Sequence, residues 1–273
     1  MSNVRGGLLD GQVVIVTGAG SGMGAAFARR LSADGAHVVV NDLDEVAAGT
    51  VAREIGGEVA VFDVADSSGF DAAVDRIVAH HGRLDVMINN AGIAPPRDEA
   101  RTLLNYENQA KRMEGRMSEL APVDYTVGLS DEQWDRMIRV HLYGTFHGTR
   151  AALRHMTPRR SGSIVNISSI LGLRPAAGAV HYSAAKAGII ALTKSAAQEV
   201  APFGVRVNVV CPGWVDTPLL APFDEITRAA IVMQTPVGRM ARPEELAEVV
   251  RFLAGPESSY CIGEVFPVSG GWV

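Results

Sequence analysis

The sequence predicts an α/β fold: a single doubly wound domain, with a seven-stranded parallel sheet and helices on both faces. Three observations predict it. Short β-branched apolar runs recur along the whole chain, and amphipathic stretches of helical period separate them. The chain has 273 residues, 47% of them hydrophobic and 20% charged, which suits one sizeable core. Continuous apolar runs of this length mark strands buried on both faces, and their alternation with helices implies parallel pairing through crossovers.

The runs follow in order. VVIVT (13–17) leads through a glycine-crowded turn into MGAAFARRLSAD, and HVVVN (37–41) leads into DEVAAGTVAREI. EVAVF (58–62) precedes FDAAVDRIVAHH, and DVMIN (85–89) is the fourth strand. After DEQWDRMIRVHLYGTFHGTRAAL come SIVNIS (163–168), YSAAKAGIIALTKSAAQEVA, VRVNVV (205–210), PEELAEVVRFLAG and EVFPV (264–268). Seven strands spread over 1–273 leave little chain for a second domain.

Two segments break this rhythm. Residues 93–130 are charged, Met-rich and too long for an ordinary loop, and their middle, ENQAKRMEGRMSEL (107–120), has the composition of a helix. Residues 212–242 hold four prolines and a short helix candidate, EITRAAIVM. Long excursions after strand ends are where substrate lids sit, so 212–242 reads as a lid and 93–130 as an inserted excursion.

The charge of −5 and pI near 5.8 exclude non-specific binding to nucleic acid or to an anionic membrane. No run approaches the roughly 18 apolar residues of a membrane span, and the start, MSNVRGGLLDGQ, lacks the apolar stretch of a signal peptide. Cys211 and Cys261 form no metal or redox spacing, and Cys211 sits in an apolar run as a buried free thiol. A reducing cytoplasm is the expected compartment. No metal site is expected: His80 and His81 have no companion ligand at zincin spacing and read as a solvated helix end.

In VVIVTGAGSGMGAAFARR, Gly18, Gly20, Gly22 and Gly24 crowd the turn between the first strand and the first helix. Glycine lets the backbone approach a pyrophosphate, and a helix N-terminus offers it unpaired N–H groups. Asp42 ends the second strand, where an acid accepts from the ribose hydroxyls of adenosine and repels a 2′-phosphate. The alternative role for Asp42 is capping the next helix; Asp63, past the third strand, is likewise either a cap or an adenine contact. No Arg or Lys in the turn or in 41–44 neutralises a phosphate, so NAD is expected rather than NADP.

HYSAAKAG (181–188) sets Tyr182 and Lys186 four apart, on one helical face. A free tyrosine, with a pKa of about 10, is a poor base at neutral pH. A neighbouring ammonium lowers that pKa, which suits the pair to proton exchange with a substrate hydroxyl. His181 points to a different helical face and reads as structural.

With TGAGSGMG at 17–24, Asp63-Val64, NNAG at 89–92, ISS at 167–169, YSAAK at 182–186 and PGWVDTP at 212–218, the chain resembles the short-chain dehydrogenase/reductase family. VGRMARPEELAEVVRFLAG extends the likeness towards the C-terminus. The resemblance implies a Rossmann-type sheet, a nicotinamide cofactor and often a homotetramer. It implies that Gly18, Ser21, Gly22, Met23 and Gly24 line the pyrophosphate, and that Asp63 and Val64 hold the adenine. Asn90 would border the ribose with Ala91 and Gly92 packed nearby, and Val215 and Thr217 would hold the carboxamide. Tyr182 would be the general acid/base, Lys186 would also bind the nicotinamide ribose, and Ser169, thirteen residues before Tyr182, would orient the substrate oxygen; Ser168 is its close rival.

One position departs from the family pattern. In WDRMIRVHLYGTF, His141 stands where the resemblance implies an asparagine that bends the helix and holds a water in a proton relay to the lysine. Histidine either takes over that relay or is a packing residue, the relay being rebuilt from backbone and water.

Leu171, Leu173, Trp214, Leu219, Leu220, Phe223 and Met233 are candidate walls for an apolar substrate. The leading reading is an NAD(H)-dependent oxidoreductase of hydrophobic secondary alcohols and ketones. The alternative is a 3-oxoacyl-(ACP/CoA) reductase, for which Lys111, Arg112 and Arg116 form a candidate phosphopantetheine patch. A third reading, from another class, is a non-catalytic NAD-binding redox sensor.

Overall fold

The computed structural model describes residues 7–95, 98–221 and 223–272; the first six residues of the start, Pro96 and Arg97 of the excursion, Pro222 of the lid and Val273 lie outside them. Seven strands form one sheet: β1 (Val13–Thr17), β2 (His37–Asn41), β3 (Glu58–Ala60), β4 (Val86–Asn89), β5 (Gly162–Ile167), β6 (Val205–Pro212) and β7 (Val265–Val268). Their order is β3-β2-β1-β4-β5-β6-β7, and every pairing is parallel. The order reverses direction between β1 and β4, and ligands of open α/β sheets bind at such a switch point, outside the carboxyl ends of the strands.

The continuous apolar runs arise because successive side chains go to opposite helix layers. Val14, Val16, Val38, Val40, Val86 and Ile88 pack on one layer, under α1 (Gly22–Ala33), α2 (Glu45–Ile55) and α10 (Pro243–Ala254). Val13, Ile15, Val39 and Met87 pack on the other, under α3 (Ser67–His81), α6 (Gly144–Arg159) and α8 (Val180–Val200). Phe27 on the first face and Phe70 on the second are fully buried.

Several element boundaries shift from the sequence expectation. β3 ends at Ala60 rather than at residue 62, whereas β6 runs on to Pro212 because β7 pairs with Cys211 and Pro212. Within 93–130 the helix is α4 (Glu99–Met113), not 107–120. The Asp98 side chain accepts from the Arg101 N–H and starts it, and Gly115, with a φ of +74°, lies just past its end.

The predicted long helix after the excursion is α5 (Asp131–Ile138), a π-helical turn over Arg139–Tyr143, and α6 in one continuous rod. The 212–242 segment carries α9 (Glu225–Gln234), as its sequence predicts. A four-residue helix, α7 (Ile170–Leu173), follows β5.

Candidate active site

At the end of β1 the chain passes through left-handed backbone at Gly18 (φ +62°) and Gly22 (φ +53°). A Cβ on Gly24 would collide with the Gly18 carbonyl, so helix α1 can approach the strand this closely only with glycine there. Ser21 is the N-cap of α1, yet its side chain makes no capping hydrogen bond. The first N–H groups of the helix have no side-chain cap, as an anion-binding terminus requires. The turn is braced from β4. Asn90 Nδ2 donates to the carbonyls of Thr17 (2.9 Å) and Gly18 (3.2 Å), and the N–H groups of Asn90 and Ala91 donate to Thr17 Oγ1.

This turn forms one wall of a cavity of about 1110 Å³. Gly18, Ser21, Gly22, Met23 and Gly24 line it, together with Asp42, Asp63, Val64, Asn90, Ala91, Gly92, His141, Tyr182, Lys186 and Thr217. Asp42 does not cap α2; Asp44 does, accepting from the N–H groups of Val46 and Ala47. Asp42 instead accepts from the Gly20 N–H at 2.9 Å and the Asp44 N–H at 3.1 Å, and each carboxylate oxygen keeps a second lone pair for a hydroxyl. Asp63 does not cap α3 either, that role falling to Asp66. The residues therefore fit a dinucleotide: a glycine cradle, an uncapped helix N-terminus, and an acid at the end of β2.

A second cavity, of about 540 Å³, adjoins the first. Residues 93–130 contribute Pro95, Thr102, Tyr125 and Leu129, and residues 212–242 contribute Trp214, Val215, Leu219, Leu220 and Phe223. Tyr106 on α4 ties the two segments together: its hydroxyl lies 2.5 Å from Thr227 Oγ1 of α9 and donates to Asp224 at 3.4 Å. Of the apolar walls expected from sequence, Leu171, Trp214, Leu219, Leu220 and Phe223 line this cavity. Leu173 and Met233 do not, because both face solvent, at 41% and 86% exposure. Val215 borders this cavity alone, whereas Thr217 borders both.

Tyr182 stands on the wall common to the two cavities. Ser169 stands beside its hydroxyl and N-caps α7 through the Leu171 N–H. Ser168 points elsewhere and donates to the Lys186 carbonyl at 2.7 Å. Lys186 Nζ donates to the Ile167 carbonyl at 2.9 Å and lies 5.6 Å from the Tyr182 ring centroid.

The electrostatics correct the sequence expectation. Burial outweighs the Ser169 hydrogen bond and holds the Tyr182 pKa above, not below, its ordinary value. Burial also lowers Lys186 from 10.5 to about 7, so its ammonium is only partly formed at neutral pH. Desolvation here exceeds the attraction that the four-residue spacing suggested.

His141 sits in the π-helical turn, 3% exposed, with its ring 5.3 Å from that of Tyr182 and perpendicular to it. Its Nε2 lies 3.0 Å from the Ile93 carbonyl and 3.1 Å from the Ile93 N–H, so either tautomer is served; Nδ1 is buried without a partner. Burial, followed by the nearby Lys186 charge, drives its pKa well below 6.5, and the imidazole is neutral. A Cβ on Gly92 would strike this ring.

Sequence reasoning missed three features. His181 is structural in being buried, yet it borders the smaller cavity with both ring nitrogens unpartnered. Tyr125 and Trp272 also reach that cavity from distant segments, with no local motif to announce them. His81 is not a solvated helix end: its Nε2 lies 2.8 Å from Glu58.

A family profile described as short chain dehydrogenase matches residues 12–117, and one described as Enoyl-(Acyl carrier protein) reductase matches 119–273. A protein of Sinomonas cyclohexanicum named cis-4-hydroxycyclohexanecarboxylate dehydrogenase is 42% identical over 266 residues, covering 96% of each chain. The 3-oxoacyl-(acyl-carrier-protein) reductase FabG of Thermotoga maritima is 36% identical over 270 residues, covering 97% of this chain and 99% of its own. A crystal structure described as ribose-5-phosphate isomerase from Brucella melitensis 16M superposes with a TM-score of 0.81 at 36% identity, covering 96% of this chain and 92% of that one.

Proposed function

The chain belongs to the short-chain dehydrogenase/reductase family of oxidoreductases acting on CH–OH groups, and from that premise we propose that it interconverts a hydrophobic secondary alcohol and its ketone with NAD(H). The observation that carries this reading is the position of Tyr182, beside Ser169 on the wall between a dinucleotide-sized cavity and a smaller, mainly apolar one.

The cofactor supplies hydride exchange at its nicotinamide ring. Tyr182 passes the hydroxyl proton, accepting it in oxidation and returning it in reduction. Ser169 holds the substrate oxygen against the phenol, and alignment across so short a gap supplies much of the rate. With its pKa raised, Tyr182 is protonated at neutral pH, the state that ketone reduction needs; oxidation is favoured as pH rises. Lys186 holds the tyrosine helix to the end of β5 through Ile167 and faces the cofactor cavity, placed for a ribose hydroxyl. His141, neutral and bonded to the Ile93 backbone, positions the turn after NNAG rather than relaying protons.

Asp42 supports NAD over NADP, since its carboxylate sits on the cavity wall where a 2′-phosphate would meet a negative charge. The Sinomonas relative's name points to a ring alcohol bearing an acid group. A cavity of about 540 Å³ holds a substrate of that size. The second reading, a 3-oxoacyl thioester reductase, is favoured by the FabG relatives. Against it, Arg116 of the candidate patch is paired with Glu114 and Glu119, which cancels much of the charge a phosphopantetheine would seek.

A cytoplasmic homotetramer completes the proposal. Tyr143 and Phe146, exposed near the start of the long α6 rod, are apolar surface of the kind a subunit contact covers. No helix among the described residues is long and apolar enough to cross a membrane. The test of the function is a panel of secondary alcohols and ketones followed by NADH absorbance. Turnover of ring alcohols with NAD is expected, and equal or better activity with NADP overturns the cofactor assignment.

A further inference from the structure

At the sheet edge remote from the active site, His37, Glu58 and His81 converge from three elements. β2 pairs with β3 in the register Val39↔Glu58, and His37 lies two residues before Val39, so His37 and Glu58 project on the same face as Val39. Val39 packs in the core layer beneath α3, and His81 is the last residue of that helix. The fold therefore brings together side chains separated by about twenty positions each in sequence, a spacing that no local ligand motif reveals.

The geometry has one unsatisfied member. His81 Nε2 lies 2.8 Å from Glu58 Oε2, an ordinary hydrogen-bond distance. His37 Nε2 is aimed at the same oxygen but stops 3.6 Å away, and it is buried without a hydrogen-bond partner. Two imidazoles thus face one carboxylate oxygen, with ring centroids 4.5 Å apart.

We propose that His37, Glu58 and His81 bind a zinc-class divalent cation. The three donor atoms all lie within 4.8 Å of one another. Tetrahedral zinc with bonds near 2.0–2.1 Å sets its ligands about 3.4 Å apart, so closure asks roughly an ångström of side-chain motion. Two imidazole nitrogens and a carboxylate oxygen suit zinc better than magnesium or calcium, which take oxygen ligands. His37 and Glu58 are each 38% exposed, leaving an entry path and room for water as a fourth ligand. The C-terminal end of α3 adds the negative end of its dipole.

The ion braces rather than catalyses. It joins the three-residue edge strand β3 to β2 and α3, at the opposite end of β2 from Asp42. Five strand residues separate the two ends by about 15 Å, so the ion is not within reach of the cofactor cavity.

The full-length protein, stripped with EDTA, is titrated with Zn2+ by calorimetry and in a thermal-shift assay. One ion per chain and a raised Tm are expected. His37→Ala and His81→Ala should each weaken binding about tenfold or more and abolish the Tm shift, leaving alcohol turnover in EDTA unchanged. Equal stoichiometry and affinity in His37→Ala, or no uptake by the wild type, overturns the proposal. The wild type titrated with paramagnetic Co2+ gives a readout independent of variant folding: the ring signals of two histidines should shift together by NMR, and shifts at no histidine or at other histidines overturn it.

Discussion

At neutral pH the buried Lys186 is balanced near its midpoint, and that balance has a consequence for stability. Its pKa falls from 10.5 in the unfolded chain to about 7 in the folded one. Between those values the unfolded chain binds the extra proton, so this group makes stability rise with pH from about 7 to about 10.5; below 7 its full cost is present. Lys186→Met removes that cost of a few kcal/mol, partly offset by the lost bond to Ile167. Urea unfolding without cofactor should show the variant more stable than wild type at pH 7, with the gap narrowing towards pH 10. A gap independent of pH contradicts the shift. At Asp42 the expectation concerns selectivity: Asp42→Ala should narrow the NAD over NADP preference in kcat/KM by about tenfold or more, as expected when a like charge no longer faces the 2′-phosphate. An unchanged ratio assigns selectivity elsewhere.

The residues legible in the sequence were those whose position follows from a strand end: Gly18, Asp42, Asn90 and Ser169 all lie at or just past the carboxyl end of a strand, the first three lining the larger cavity and Ser169 the smaller. The direction of the Tyr182 shift was not legible. It depends on how much protein surrounds the phenol, and spacing reports only the partner four residues on. His81 was misread for a similar reason, since its partners come from β2 and β3.

At the scale of elements, the strands were legible because burial on both faces writes itself as an unbroken apolar run, as in VVIVT. The bounds of helix α4 were not, because its sequence is polar and only Asn108 is buried on it. Its true limits are set by the Asp98 cap and by Gly115, not by a periodic apolar stripe. That helix reaches the 212–242 segment through Tyr106, which contacts Thr227 and Asp224. Removing the hydroxyl in Tyr106→Phe takes away about 1 kcal/mol of excursion–lid attachment. KM should rise roughly fivefold while kcat changes less than twofold, measured by steady-state kinetics. A proportionate fall in kcat would place the contact in the chemistry instead. The π-helical turn shows the same interplay: it carries His141 inwards to the Ile93 backbone, and Gly92 leaves the space for its ring.

Across the whole molecule, the sheet order places two clefts on one edge and joins them at Tyr182. The glycine turn after β1 and the NNAG turn after β4 flank the point where strand order reverses, and the two long excursions roof the remaining space. The central claim is that the Tyr182 hydroxyl moves the proton while a bound dinucleotide moves the hydride. The most direct test compares wild type with Tyr182→Phe, following NADH absorbance over a panel of secondary ring alcohols and NAD affinity by fluorescence or calorimetry. Turnover by wild type, a loss of about a thousandfold or more in the variant, and NAD binding within a few-fold of wild type are expected. Undiminished turnover in Tyr182→Phe, or a wild type that binds NAD and oxidises nothing in the panel, contradicts the account.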